Sequence, residues 1–311
     1  MSWWVILLIA AFAALFIFLI APVLFIFVAV FSRKETKPFE EYDWEKFKDH
    51  YYVPYLERIE AARSFVRSHS VKRVSVTSGD GLKLAGDYYD LGCKRTAILF
   101  HGFNAEVYTN LSVHAELMMK LGFNVLLPIH RAHGRSEGRW SGIGLREQDD
   151  VLTWVNWAER HGTKQILLYG VSMGAAAVAY ASDRLGSTNV SAVVLDSCYY
   201  SVYEQMKRDV EKLHIPRVVL PGQRVAAKLF LGIDIKTPTT GSLKRASVPT
   251  LFVHGTGDET VLCRWGEINY EACAAEKELL LIKDAPHTLS LLKDETKAGG
   301  KIAGFVNTYF A

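Results

Sequence analysis

The residues Gly170-Val171-Ser172-Met173-Gly174 set one serine between two glycines. They follow the apolar run 165–169 and open a run of small residues. A strand turning sharply into a helix would lift Ser172 out as a nucleophile, and the tight turn needs small residues two before and two after it. The plainer reading is a packing turn whose glycines only fit the backbone. A serine hydroxyl attacks only when a base takes its proton, and that base needs an orienting carboxylate. In a strand–turn–helix context the partners follow in the order acid, then histidine. Asp258 stands just past the apolar run 249–254, and His287 just past the apolar run 278–283. Ser172, Asp258 and His287 are therefore expected at the C-terminal ends of three strands, with Asp258 holding the imidazole tautomer and His287 moving the proton. Asp196 ends another such run and is the fallback acid. An oxyanion hole needs two N–H donors. The N–H after the nucleophile belongs to Met173, and the loop His101-Gly102-Phe103 after an early strand offers that of Phe103.

The elements that must position these groups are legible as period and punctuation. Apolar runs at 96–100, 124–129, 165–169, 190–196, 249–254 and 278–283 alternate with helical stretches near 107–121, 145–161, 173–185, 262–275 and 292–310. Continuous Val/Ile/Leu-rich runs separated by helices predict a mostly parallel sheet buried on both faces, an α/β fold. Gly79-Asp80-Gly81 between alternating residues predicts a hairpin ahead of it. Between Asp196 and Val248 the interval is too long for one strand–helix unit. Two helices fit it, and a small helical cap inserted at about 199–247 is expected near the ligand-binding edge of the sheet.

The first 32 residues differ from the rest. From Trp3 to Phe31 no charged residue occurs, and all 36 Lys and Arg and all 33 Asp and Glu come later. A helix of that length would run ~43 Å, against ~30 Å of bilayer hydrocarbon. One membrane-spanning anchor is expected, tilted or kinked at Pro22, rather than a hairpin or a cleaved signal peptide. Trp3 and Trp4 suit an interface. Arg33, Lys34 and Lys37 follow the block, which places the large C-terminal part in the cytoplasm by the positive-inside rule. Residues 33–69 form a juxtamembrane segment expected to be helical in two pieces broken at Pro54, with a stripe of Trp44, Phe47, Tyr51 and Tyr55 packing on the globular part. The net charge of +3 shows no basic block, so nucleic-acid binding has no support. Cys93, Cys198, Cys263 and Cys273 form no CxxC pair and fit buried or reduced thiols.

Residues 70–311 resemble the α/β-hydrolase superfamily of serine hydrolases, in particular bacterial members with an N-terminal membrane anchor. The matching pieces are 101–103 (HGF), 131–138 (RAHGRSEG), 170–174 (GVSMG), 254–261 (HGTGDETV) and 285–292 (APHTLSLL). The resemblance implies the α/β-hydrolase fold, Ser172, Asp258 and His287 as the triad, and the N–H groups of Phe103 and Met173 as oxyanion donors. The chain departs from it twice. Relatives often carry Asp-x-Arg-Gly-His-Gly-x-Ser where His130-Arg131-Ala132-His133-Gly134-Arg135-Ser136 stands here, and Gly where Pro286 precedes His287.

The remaining candidates have structural readings. His130 and His133 lack a carboxylate partner for a metal site. His101 and His254 precede glycines at strand ends. Cys198 reads as an inert thiol, and Asp149 and Asp150 as helix-start acids. No metal or organic cofactor is expected. The reading that follows is a membrane-anchored serine hydrolase cleaving carboxylic esters, apolar acyl esters above all given the aromatic Tyr199, Tyr200, Tyr203 and Phe230 in and beside the cap. Alternatives are a peptidase or amidase of the same fold, with Glu204, Asp209 or Glu211 gripping an amino terminus, and a non-catalytic membrane-tethered binding module.

Overall fold

The computed structural model describes residues 2–37, 39–41 and 50–310. Its backbone gathers into two units, one of Arg33–Tyr200 with Pro238–Ala311 and one of Met1–Ser32 with Ser201–Thr237.

The first unit is built on an eight-stranded sheet in the order β1-β2-β4-β3-β5-β6-β7-β8. The strands are β1 (Val71–Thr77), β2 (Lys83–Tyr89), β3 (Arg95–Phe100), β4 (Asn124–Pro128), β5 (Gln165–Val171), β6 (Val190–Asp196), β7 (Thr250–Gly255) and β8 (Lys277–Ile282). β1 and β2 form the expected hairpin, with Val74 opposite Gly86, and β2 pairs antiparallel with β4. The other pairs, β3 with β4 and with β5, β5 with β6, β6 with β7, and β7 with β8, are parallel. Parallel neighbours send every strand from β3 onward toward one edge, so the loops that end them share it.

The helices in chain order are α1 (Trp3–Phe31), α2 (Leu56–Arg67), α3 (Val107–Lys120), α4 (Glu147–Arg160), α5 (Met173–Ala181), α6 (Val202–Lys212), α7 (Val219–Leu231), α8 (Thr240–Leu243), α9 (Cys263–Ala272), α10 (Ser290–Lys293) and α11 (Glu295–Tyr309). Alternate strand residues Ala97, Leu99, Val125, Leu127, Leu167, Tyr169, Val194 and Val253 join one core with Leu111 and Met118 of α3, and Ile302 and Phe305 of α11. Ile98, Leu126, Leu168 and Val193, which point the other way, are buried too. Burial of both faces is why these strands read as unbroken apolar runs.

Helix α2 belongs to that core. Its Ile59, Ala62 and Val66 are fully buried in the same cluster, and Tyr52 and Tyr55 pack against it. Pro54 sits in a 3₁₀ turn, Val53–Tyr55, that leads into α2. Proline is tolerated in a first turn, where its missing N–H costs no bond. Residues 33–37 are not helical. Lys34 bridges His133, Arg33 N–H donates to the Arg139 carbonyl at 2.8 Å, and the Arg33 guanidinium donates to the Ser136 carbonyl at 2.6 Å. Trp44 and Phe47 lie outside the described residues.

The second unit holds α1, α6 and α7. α1 is one helix of 29 residues with Pro22 inside it, long and apolar enough to cross a membrane. It packs against α7: the Gln223 side-chain amide donates to the Val23 carbonyl at 2.7 Å, and the Phe27 and Phe230 rings lie 5.4 Å apart. Gly222 meets Val23 so closely that an added β-carbon would stand 2.7 Å from a valine methyl.

Candidate active site

The chain leaves β5 at Val171 and enters α5 at Met173, so Ser172 alone makes the turn. Its φ of 54° and ψ of −112° lie where L-residues pay a steric penalty, of order 1–3 kcal/mol. The flanking glycines make that turn possible. A β-carbon at Gly170 would stand 2.5 Å from Ala175 N, and one at Gly174 would stand 2.1 Å from the Phe100 carbonyl oxygen. The second contact wedges the start of α5 against the end of β3. The Ser172 N–H donates to the Asp196 carbonyl at 2.8 Å, tying the turn to the end of β6.

Ser172, Asp258 and His287, drawn from the ends of β5, β7 and β8, lie in one hydrogen-bonded row. Ser172 Oγ is 3.0 Å from His287 Nε2, and His287 Nδ1 is 2.7 Å from Asp258 Oδ2. A carboxylate can only accept, so Nδ1 carries the proton and Nε2 turns its lone pair to the serine hydroxyl. All three residues are buried. The other Asp258 oxygen accepts the N–H groups of Thr260 and Val261 at 2.9 and 2.8 Å, and His254 Nε2 stands 3.4 Å from Oδ2. Burial pushes the Asp258 carboxyl up, but hydrogen bonds and charge from His254 and His287 outweigh it and hold the group well below the ordinary carboxylate range. Neighbouring His254, whose place before a glycine reads as structural, turns its Nε2 to the Val261 carbonyl at 3.0 Å as well as to the aspartate.

Asp196, the fallback acid, is fully buried and makes no hydrogen bond to His287. Its carboxylate accepts from Ser197 at 2.9 Å and from the Tyr169 hydroxyl at 3.5 Å, with His114 Nε2 at 4.0 Å. Burial pushes its pKa up to about 6.

The loop after β3 lies against the serine. A β-carbon added to Gly102 would stand 3.5 Å from Ser172 Cβ, and the Gly102 N–H donates to Asn110 Oδ1 at 2.8 Å. Phe103 follows in that loop, half-exposed, with the Lys34 ammonium 5.3 Å from its ring centre. Met173 is the first residue of α5, so its N–H is one of the donors a helix cannot satisfy internally. Two residues that sequence reasoning missed hold this loop. Asn110 donates through Nδ2 to the Tyr52 hydroxyl at 3.3 Å, and that hydroxyl is 2.8 Å from Thr288 Oγ1, next to His287. Tyr52 carried no signal beyond sitting beside a stripe drawn through Tyr51 and Tyr55.

His101, His130 and His133 pack edge to face, the first two with ring centres 4.5 Å apart. Their nitrogens serve the loops: His101 Nε2 accepts the His130 N–H at 3.1 Å, and His133 Nε2 accepts the Asn104 N–H at 3.2 Å. Arg131, in the segment that departs from the hydrolase pattern, is buried. It grips Asp150 through two bonds of 2.7 and 2.6 Å and Asp80 at 2.8 Å. Asp150 stands in the first turn of α4, as a helix-start acid should, and is also this arginine's partner. Cys198 is buried with its thiol pushed up by burial, and Tyr199 is buried with its hydroxyl donating to the Ile143 carbonyl at 2.6 Å.

Comparison with known proteins agrees with this architecture. A family model for the alpha/beta hydrolase fold matches residues 97–215. The chain is 30% identical over 237 residues to the uncharacterized protein YfhR of Escherichia coli O157:H7, covering 70% of this chain and 74% of that one. The chain belongs to the α/β-hydrolase family. It is also 26% identical over 204 residues to the uncharacterized protein YqkD of Bacillus subtilis (strain 168), covering 64% of this chain and 67% of that one. Among solved structures, the esterase Pf2001 of Pyrococcus furiosus superposes with a TM-score of 0.65 at 24% identity, over 78% of this chain and 94% of that one. For this α/β hydrolase that likeness bears on the fold.

Proposed function

We propose that this α/β hydrolase is a membrane-anchored serine hydrolase that cleaves carboxylic esters. The observation that carries the reading is the unbroken row from Ser172 Oγ through His287 to Asp258, at 3.0 and 2.7 Å. In this mechanism His287 Nε2 takes the hydroxyl proton as Ser172 Oγ attacks the acyl carbon. Asp258 stabilises the imidazolium, and the N–H groups of Phe103 and Met173 donate to the oxyanion. His287 then returns the proton to the leaving alcohol, and Ser172 is left acylated. Water, deprotonated by the same nitrogen, releases the acid and restores the serine. The strained φ of Ser172 supports the assignment, because such strain clusters at working sites.

Residues 1–32 act as the anchor, residues 70–311 carry the hydrolase, and the insertion at about 199–247 is its cap. Arg33 and Lys34 beside the apolar helix support a cytoplasmic hydrolase. Attachment to a bilayer favours an apolar acyl chain as substrate. The aromatic argument for that chain is narrower than composition suggests, because Tyr199 is engaged with Ile143 and Phe230 packs against Phe27. A peptidase reading gains nothing from the cap acids: Glu204 pairs with Lys207, Glu211 with Arg217, and Asp209 accepts from Gln205.

The test is fluorophosphonate labelling of detergent-solubilised protein, wild type against Ser172→Ala, followed by a panel of esters of increasing acyl length. Labelling confined to the wild type is expected, with rates that rise with acyl length. Labelling that survives in the variant sinks the nucleophile assignment, and a flat length profile sinks the apolar substrate.

A further inference from the structure

Helix α7 carries large apolar side chains that are exposed among the described residues. At ~100° per residue, Val218, Val225 and Leu229 fall within an arc of about 40° of its circumference. They are 76%, 59% and 75% exposed. On one side of this stripe lie Gly222, Gln223 and Phe230, which meet α1 at Val23 and Phe27. On the other lie Arg217, Arg224 and Lys228, all exposed, with Arg217 paired to Glu211 and Arg224 to Asp234. The bare apolar stripe is thus bounded by the apolar helix and by a basic flank.

Depth along α1 says what covers the stripe. The helix is 29 residues long, and Trp3 and Trp4 mark its far end. About 20 residues, ~30 Å, cross the hydrocarbon, so it ends near Leu24 and the last turns rise through the headgroups. Val23 and Phe27, where α7 is held, bracket that level. A helix fixed there, with Val and Leu on its outer face and Arg and Lys beside them, has the composition of an interfacial helix. The basic side chains can lay their stems over the apolar stripe and keep their charges among headgroups. A soluble protein partner would not need to adjoin the charge-free helix.

We propose that the Val225 and Leu229 face of α7, with Val218 at its N-cap, inserts into the bilayer at the boundary between acyl chains and headgroups, on the side where α1 ends, with Lys228 among anionic headgroups. The proposal rests on the reading of Trp3–Phe31 as membrane-spanning.

The test uses the full chain, with Cys93→Ser and Cys263→Ser to remove the two less buried thiols, in vesicles of phosphatidylcholine and phosphatidylglycerol. An environment-sensitive fluorophore is placed singly by Leu229→Cys, by Phe18→Cys within α1, or by Thr296→Cys at an exposed position of α11. Brominated acyl chains are expected to quench the probes at 229 and 18 by about twofold or more and to leave 296 bright. Quenching at 18 with 229 as bright as 296 overturns the proposal and leaves the anchor standing. Bright probes at both 18 and 229 remove the anchor and the proposal together. A blue-shifted 229 probe that bromine does not quench, and that turns wet as protein is diluted in lipid, assigns the stripe to a second copy of the chain and also overturns the proposal.

Discussion

The Tyr52 hydroxyl lies 2.8 Å from Thr288 Oγ1, joining a residue far toward the N-terminus to the neighbour of His287. The same hydroxyl accepts from Asn110, whose carbonyl oxygen holds the Gly102 N–H. One phenol therefore braces both the imidazole loop and the loop proposed to bind the oxyanion. Tyr52→Phe removes the brace and keeps the ring. Losing a buried hydrogen-bonded hydroxyl costs about 1–2 kcal/mol, so we expect kcat to fall roughly tenfold with KM nearly unchanged. Steady-state ester hydrolysis checks this, and an equal loss of stability with intact kcat would make Tyr52 a packing residue only.

The acid assignment separates two buried aspartates. Asp258 bonds His287, whereas Asp196 bonds Ser197 and Tyr169. Asp258→Asn should lower kcat by about 10⁴, because the amide favours the wrong imidazole tautomer. Asp196→Asn should leave kcat within about tenfold, since Asp196 meets the serine only through its backbone carbonyl. The reverse ranking would exchange the two roles.

Asp196 also predicts a pH dependence of stability. Burial raises its pKa from 3.8 to about 6. The folded protein then binds more protons than the unfolded chain between those values, so this group's contribution to stability declines as pH rises through the window. The full effect is on the order of 3 kcal/mol. Asp196→Asn removes it, so the variant should gain on the wild type between pH 4 and pH 7. Denaturant melts at those two pH values measure the gain, and a constant difference would mean the carboxyl titrates normally.

Gly174→Ala places a methyl 2.1 Å from the Phe100 carbonyl, where neither backbone segment can yield cheaply. Overpacking of this kind costs about 1–3 kcal/mol or more. Folded variant should show a lower melting temperature and lose fluorophosphonate labelling, because relief of the clash must move Ser172 off His287. Gly300→Ala, with open space around its position, is the control and should change neither.

Much of this architecture is legible in the sequence. The strands announced themselves because both sheet faces are covered, and Ser172, Asp258 and His287 stood at the ends of three such runs. The hidden parts are contacts between distant segments. Arg131 and Asp150 are separate charged residues in the sequence and one buried pair in the fold. Tyr52 acquires a role only once Asn110 and Thr288 are brought to it. The segment 33–37 was expected to be helical, but Lys34 takes an extended path beside His133, a pairing partner no local pattern reveals.

Helix α2 has a practical consequence for anyone trimming the chain. A fragment starting at Val71, where the first strand begins, would keep every residue from Ser172 to His287 and still strip Ile59, Ala62 and Val66 from the core. The bared groove along α3 would be sticky, and the Asn110 and Thr288 side chains would lose their shared phenol. A soluble form that reports on the native enzyme has to begin before Tyr52, close behind the apolar helix.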